Sequence, residues 1–460
     1  MTDFLTGKKH VHFIGIGGSG MYPLAQILHG QGFFITGSDN NETVTLDAVR
    51  KLGIKVYMGQ SAANIEGADL VIYSSAISEE NTELKAAREA GLTVRDRAEL
   101  LGLFTKLHKT AVCVVGTHGK TTVTSMLVHV LLGANVDISA FVGGKLKILG
   151  GSARIGKSGV MIVEACEFNN NFHKLFPNVT ILLNIDEDHM NYFKTMENLR
   201  GSFSKFCGMT TDLLVINGDD ENTRIAVGNS DFKGRIITFG FGENCDYRAV
   251  NIRKISDFES GFELWVHGKF LTELTISVPG EHNVLNAVAA FAAGLYLKKS
   301  GENFDSLKDG LRGFTGAGRR FERIYCENGI TVADDYAHHP AEVEATLKTA
   351  KSMDFKRVWA VHQPFTFTRT RALLDEFGAA LSIADKVVLS AIMGGRETNT
   401  CGIKAEDLAE KTRNSIVIQD FEGIANYVAE NAESGDLIIT MGCGDVDKAA
   451  RLIAQKLSGV

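Results

Sequence analysis

Twice in this chain a short apolar run breaks at glycine and passes at once into a helical stretch, and that order of strand, turn and helix points to an α/β architecture. The first run, Val11 to Ile16, enters Gly15-Ile16-Gly17-Gly18-Ser19-Gly20, a G-x-G-x-x-G turn; a further strand, Phe33 to Thr36, ends near Asp39. This is a Rossmann-like beginning. The other run, Ala111 to Val115, enters Gly116-Thr117-His118-Gly119-Lys120-Thr121-Thr122. Here Gly116 and Gly119 let backbone N–H groups approach phosphate, Lys120 supplies a positive charge, and Thr121 or Thr122 can offer a hydroxyl to Mg²⁺. ATP is the expected ligand. The spacing G-x-x-G-K-T-T is tighter than the G-x-x-x-x-G-K-[ST] loop of most P-loop nucleotidases, which narrows the family.

Around these turns, apolar runs alternate with helical stretches along the whole chain. Strands are expected at Lys55 to Met58, Asp69 to Ser74, Val160 to Glu164, Val179 to Asn184, Leu213 to Asn217 and Ile236 to Phe239. A long Ala-rich helix follows from His282 to Leu297, then a Gly-rich turn from Gly313 to Gly318. Strands resume at Gly329 to Asp334, Arg357 to His362, Lys386 to Leu389, Ser415 to Ile418 and Asp436 to Met441. The expectation is three consecutive open, mainly parallel sheets: a Rossmann-like domain over 1–108, a P-loop-type domain over 109–320, and a second Rossmann-like domain over 321–460. A length of 460 residues suits roughly three domains.

Composition removes several other classes. A formal net charge of -7, with 48 Lys and Arg against 55 Asp and Glu and no dense basic block, offers no footprint for nucleic acid or anionic lipid. The seven cysteines are scattered singly, as expected in a reducing compartment. Met1 to His10 lacks the apolar core of a signal peptide, and no apolar run reaches the ~18 residues of a spanning helix. A cytoplasmic protein with small-molecule partners is expected, as monomer or homodimer.

Polar residues cluster in three further places. These are Pro279-Gly280-Glu281-His282-Asn283, Asp334-Asp335-Tyr336-Ala337-His338-His339-Pro340, and His362-Gln363-Pro364 followed by Arg369-Thr370-Arg371. Each lies beside a strand or opens a helix, where loops carry function. With the G-T-H-G-K-T-T loop, Glu164-Ala165-Cys166-Glu167, Asn184-Ile185-Asp186-Glu187-Asp188-His189, the G-E-H-N-x-x-N helix start and Gly318-Arg319-Arg320-Phe321-Glu322, they follow the order of the Mur ligases, a family this chain resembles over nearly its whole length. Cys166 departs from the Asp that many members carry there; Glu164 and Glu167 remain.

The resemblance implies an ATP- and Mg²⁺-dependent ligase that activates a carboxylate as an acyl phosphate and joins it to an amine. Within the family, G-I-G-G-S-G-M and D-D-Y-A-H-H-P are similar to the branch that couples L-alanine to UDP-N-acetylmuramate in peptidoglycan precursor synthesis. The implied ATP contacts are Gly116, Thr117, His118, Gly119, Lys120, Thr121 and Thr122, with His282, Asn283 and Asn286 for adenine and Arg319 for phosphate. A helix N-cap competes as the role of Asn283. The implied metal set is Thr121, Glu164 and His189, with Glu167 a substrate or second metal contact. For the UDP-sugar the resemblance implies Gly15, Gly17, Gly18, Ser19, Gly20 and Asp39, together with Ser74, Ser75 and Ala76. The reaction itself falls to Lys120, Asp335, His338 and Arg369, with Tyr336 and His339 beside the amino acid and Arg369 facing its carboxylate.

A P-loop regulatory switch or binding module, hydrolysing nucleotide without joining substrates, stays open at this point, and so do two further alternatives. One is the family member that attaches a whole tripeptide to the same sugar acid. The other is a nicotinamide oxidoreductase built on Gly15 to Gly20 and Asp39, which leaves the second phosphate loop without a purpose.

Overall fold

A computed structural model describes residues 3–74, 76–298, 304–395 and 397–459. Its strands form three open sheets. In the first, five parallel strands lie in the order Lys55–Met58, Phe34–Asp39, His10–Ile14, Leu70–Tyr73 and Thr93–Asp96. Ile14 sits opposite Ser38 on one side and Tyr73 on the other, so the glycine turn, Asp39 and Ser74 all emerge at one carboxyl edge. The chain leaves the central strand in opposite directions there, which opens a crevice where α/β folds bind ligands.

The second sheet has ten strands, and Thr110–Val115 lies near its middle, between Val179–Leu182 and Val160–Glu164 and parallel to both. From Ala111 onward that strand is fully buried, which is why it reads as an unbroken apolar run. Beyond Val160–Glu164 come Ser139–Leu146 and Gly151–Arg154, an antiparallel pair; at the other end Tyr247–Ser256, Glu259–Val266 and Lys269–Ile276 follow Arg235–Gly240. The sequence reading misses all five of these. Tyr247–Ser256 explains why: it is exposed over its last six residues and carries little apolar pattern to recognise.

The third sheet runs Glu322–Glu327, Ile330–Asp335, Asp436–Met441, Arg357–His362, Lys386–Leu389, Ser415–Val417. Its first pair is antiparallel and the rest are parallel. Side chains alternate between two cores. Val358, Ala360, Leu437 and Ile439 pack with Phe377 on one face, while Trp359, Val361 and Ile438 pack with Ile424 and Ile453 on the other.

These sheets belong to two compact units, one comprising Met1–Val250, Glu263–Thr272 and Leu285–Leu311, the other Asn251–Phe262, Glu273–Val284 and Arg312–Val460. Within the first unit one hydrophobic cluster runs from Val11 and Phe13 through Leu100 and Phe104 to Phe172 and Phe203, so its two sheets share a core. The helix Arg97–Leu107 makes the join. Asp96 and Glu99 cap its start reciprocally, and at Gly102 it approaches the chain so closely that a Cβ would lie 2.1 Å from the Lys174 carbonyl oxygen. Only glycine fits there. Among the described residues no helix is long and apolar enough to cross a membrane.

Candidate active site

The phosphate loop leaves the buried strand at Val115 and re-enters regular structure at the helix Lys120–Gly133. Gly119 caps this helix with φ +85°, a left-handed backbone that favours glycine, and no side chain caps the first turn. The helix start thus presents amides and the positive end of its dipole to the loop. Asn184 fixes the loop's shape: its Oδ1 accepts from the His118 N–H at 2.8 Å and its Nδ2 donates to the His118 carbonyl at 3.1 Å. Thr117 adds a second tie, accepting from the Asp186 N–H at 2.9 Å.

Lys120 folds back over this loop, donating to the carbonyls of Gly116 at 2.5 Å and Thr117 at 3.0 Å and to Glu167 Oε1 at 3.0 Å. Burial opposes its charge, but Glu167, Cys166 and Glu164 together outweigh burial and hold Lys120 above the ordinary lysine range. The other oxygen of Glu167, Oε2, is buried without a hydrogen-bond partner. An unmatched carboxylate oxygen is costly in the interior. Glu167 also belongs to a cluster in which Glu167, Asp188 and His189 each bring one ligand atom within 4.8 Å of the others. The donor set of two carboxylates and an imidazole fits a divalent cation.

Of the expected metal set, Thr121 pairs with Glu164, donating to Oε1 at 2.9 Å, while Glu164 Oε2 accepts from the Gly143 N–H at 2.7 Å. His189 instead groups with Glu167 and Asp188. Asp188 is the residue the sequence pattern did not single out; its signal is the acidic run Asp186-Glu187-Asp188 directly before His189. Burial, with Glu167 beside it, raises the Cys166 thiol, so this residue enters the site neutral where many Mur ligases carry a carboxylate.

Asn286 lies against the phosphate loop: a Cβ on Gly119 would meet its Oδ1 at 2.9 Å. At Asn283 the competing role of helix N-cap falls away. The helix begins at Glu281, so Asn283 is inside it rather than its N-cap, and its Nδ2 donates to the Pro279 carbonyl at 2.6 Å. His282 lies beside it, in the first turn of the same helix.

At the carboxyl edge of the first sheet Asp39 accepts from the Gly17 N–H at 2.9 Å and from Asn40 and Asn41, tying the glycine turn to the neighbouring strand end. Ser74 accepts from Ala76 N–H at 3.3 Å; Ser75 lies outside the described residues. Arg97 is a further cation here that the sequence reading passed over. A Cβ on Gly20 would meet its Nη1 at 3.0 Å, and its charge also reaches Cys166. Nothing in the local pattern marks Arg97, because only the fold of the first unit brings its helix start beside both sheets.

In the second unit Arg319 clamps strand ends together. It donates to Asp334 Oδ2 at 2.9 Å and to the carbonyls of Gly444 and Gly442, each at 2.6 Å, and its guanidinium stacks over Tyr336. The expected phosphate contact therefore falls on a side chain already engaged three times. Asp335 is buried and accepts from the N–H groups of Phe321 at 2.7 Å and Ala337 at 2.8 Å; burial raises it above the usual carboxylate range. His338 Nδ1 lies 3.1 Å from both the Tyr336 carbonyl and Glu342 Oε2. His339 precedes the helix Pro340–Lys351, and Arg369 lies on the short helix Phe367–Ala372, its charge reaching Cys443.

Three family models match this chain in succession: "Mur ligase family, catalytic domain" over residues 10–109, "Mur ligase middle domain" over 114–294 and "Mur ligase, glutamate ligase domain" over 319–444. The UDP-N-acetylmuramate--L-alanine ligase of Acetivibrio thermocellus is 43% identical over 96% of this chain and 95% of its own length. That of Lachnospira eligens is 43% identical over 95% and 96%. Among solved structures, the UDP-N-acetylmuramate-alanine ligase of Thermotoga maritima superposes with a TM-score of 0.84 at 28% identity, covering 98% of this chain and 99% of that one. The order of motifs, the three sheets and full-length similarity agree, and the chain belongs to the Mur ligase family.

Proposed function

We propose that this protein is an ATP-dependent ligase that joins L-alanine to the carboxylate of UDP-N-acetylmuramate through an acyl phosphate, in peptidoglycan precursor synthesis. The reading rests on the names of its full-length relatives and, in the site, on Lys120 bound to Glu167, a residue that groups with Asp188 and His189 and keeps one carboxylate oxygen unmatched.

A carboxylate is a poor acyl donor, so its oxygen first takes the γ-phosphoryl group of ATP and ADP leaves; the alanine amine then attacks the acyl carbon and phosphate departs. The difficulty is charge, since three phosphates and a carboxylate repel one another. Lys120 and the first-turn amides of its helix oppose that charge where it develops. Glu167, Asp188 and His189 would hold one Mg²⁺, with Thr121 and Glu164 beside the loop, and the cation would neutralise phosphate oxygens when bound. Asn286 would contact the nucleotide near Gly119, and His282 and Asn283 would read the base. The Gly15–Gly20 turn, Asp39 and Ser74 to Ala76 would hold the UDP-sugar, with Arg97 in reach of its anionic groups.

For the amine half, Arg369 would pair with the alanine carboxylate, and Tyr336, His338 and His339 would line its path, oriented by Asp335. We further propose domain limits of 1–108, 109–320 and 321–460, a cytoplasmic location, and a monomer or homodimer. Supplying ATP, Mg²⁺ and UDP-N-acetylmuramate with either L-alanine or the L-Ala-γ-D-Glu-diamino-acid tripeptide tests the reading. Phosphate release with alanine is expected. Release with the tripeptide alone would make the protein a recycling ligase, and a nicotinamide absorbance change at 340 nm would make it an oxidoreductase.

A further inference from the structure

The imidazole of His362 is 1% exposed, and neither of its ring nitrogens has a side-chain hydrogen-bond partner among the described residues; the Met441 backbone acts on the ring from the neighbouring strand and can serve at most one of the two nitrogens. His362 ends the strand Arg357–His362, where it stands opposite Met441 on one side and Leu389 on the other. By strand alternation it shares the face of Val358 and Ala360, and its ring lies 5.6 Å from that of Phe377. It is thus a polar ring on an otherwise apolar floor, at the carboxyl edge where ligands of open α/β sheets bind. His338 is close enough for its charge to act on the ring, and the chain continues from His362 to Arg369 in seven residues. The strand end is fixed from beyond as well: Gln363 Nε2 donates to Asp445 at 3.0 Å and its Oε1 accepts from the Asp445 N–H at 3.0 Å.

Buried polar groups in folded proteins find partners, and an orphan at a ligand edge calls for one from the ligand. We propose that His362 determines specificity for the incoming amino acid, its ring pairing with a side-chain hydroxyl, so that L-serine is accepted beside L-alanine. This rests on the amino-acid ligase reading given above. Burial pushes the ring down to about 4, so it is neutral at physiological pH, with one donor and one acceptor nitrogen. That excludes it as an effective general base. A hydroxyl both donates and accepts and so suits either tautomer, whereas the methyl of alanine offers nothing. An α-carboxylate is better served by the guanidinium of Arg369. Phe377, Leu389 and Met441, which pack in the core on this face, offer the ring no polar side chain to pair with.

The test measures kcat/KM for L-serine and L-alanine in the wild type, His362→Phe and His362→Gln. The serine-to-alanine ratio should fall about tenfold in the Phe variant, as expected for one lost hydrogen bond, and be largely kept by Gln, whose amide can both donate and accept. An unchanged or higher ratio in His362→Phe overturns the proposal, and an equal fall in both variants reduces His362 to a packing role and overturns it too. Should the Phe variant not fold, the wild type labelled with ¹⁵N-histidine gives the same answer. With UDP-N-acetylmuramate and a non-hydrolysable ATP analogue bound, the His362 ring resonances should move on adding L-serine and stay on adding L-alanine; equal responses overturn the proposal. Absence of phosphate release with any amino acid would remove the ligase reading instead, and the inference with it.

Discussion

Lys120 and Glu167 carry the sharpest expectations for single side chains. Lys120 touches two loop carbonyls and one carboxylate, contacts that fix the ammonium over the loop proposed to hold phosphate. Lys120→Ala should fold normally and lose turnover by about 100-fold or more, a loss of about 3 kcal/mol of transition-state stabilisation or greater. A folded variant with turnover near wild type would remove the phosphate-loop assignment. Glu167 tests the cation. Its unmatched Oε2 and its grouping with Asp188 and His189 mean that Glu167→Gln and His189→Ala should each raise the Mg²⁺ concentration for half activity, by about tenfold. Magnesium titrations that superimpose on the wild type would exclude the cluster as the metal site.

At the scale of an element, the strand Asp436–Met441 is anchored by its first residue. Asp436 is 1% exposed and accepts from Arg357 Nε and Nη2, each at 2.7 Å, from Trp359 Nε1 at 3.0 Å and from the Glu433 N–H at 2.9 Å. Burial works against its charge, but Arg357, the Glu433 N–H and Trp359 together outweigh burial and hold its pKa below the ordinary 3.8. The stabilisation is therefore present above the unfolded value and lost as pH falls below it, through the lower folded pKa. Asp436→Asn should lower the melting temperature at pH 7, by an amount equivalent to about 2–3 kcal/mol given that Arg357 is partly exposed. The gap from wild type should narrow as pH falls below 4. A gap independent of pH would show that the carboxylate's charge is not what anchors this strand.

For the whole molecule, the expected chemistry is divided along the chain. The phosphate loop and the acidic cluster belong to the first unit, and Arg369 and His338 to the second. Kinetic parameters should therefore separate. Arg369→Ala should raise the KM for L-alanine by tenfold or more while leaving those for ATP and UDP-N-acetylmuramate within about twofold, because the proposed bidentate pair would serve the amino acid alone. An equal rise in all three would mean that Arg369 supports the fold of its unit rather than the amino acid.

Local pattern made much of this protein legible in the sequence. Thr110–Val115, Val160–Glu164, Arg357–His362 and Asp436–Met441 are buried or nearly so, and an apolar run closed by glycine or a polar cluster announces such a strand. The phosphate loop was equally plain, since Gly119 must take a left-handed backbone and Lys120 and Thr121 follow it directly. Strands such as Tyr247–Ser256 were not legible, because an exposed strand carries no hydrophobic period. Nor were the pairings. That Glu167 rather than Glu164 joins His189, that Arg97 stands beside Gly20, and that His362 is buried without a side-chain partner are contacts between residues far apart in the chain or consequences of them. Sequence fixes each segment's period and turn chemistry, which act over a few residues; which side chains meet depends on how the sheets stack and register, and that is set by packing of the whole chain.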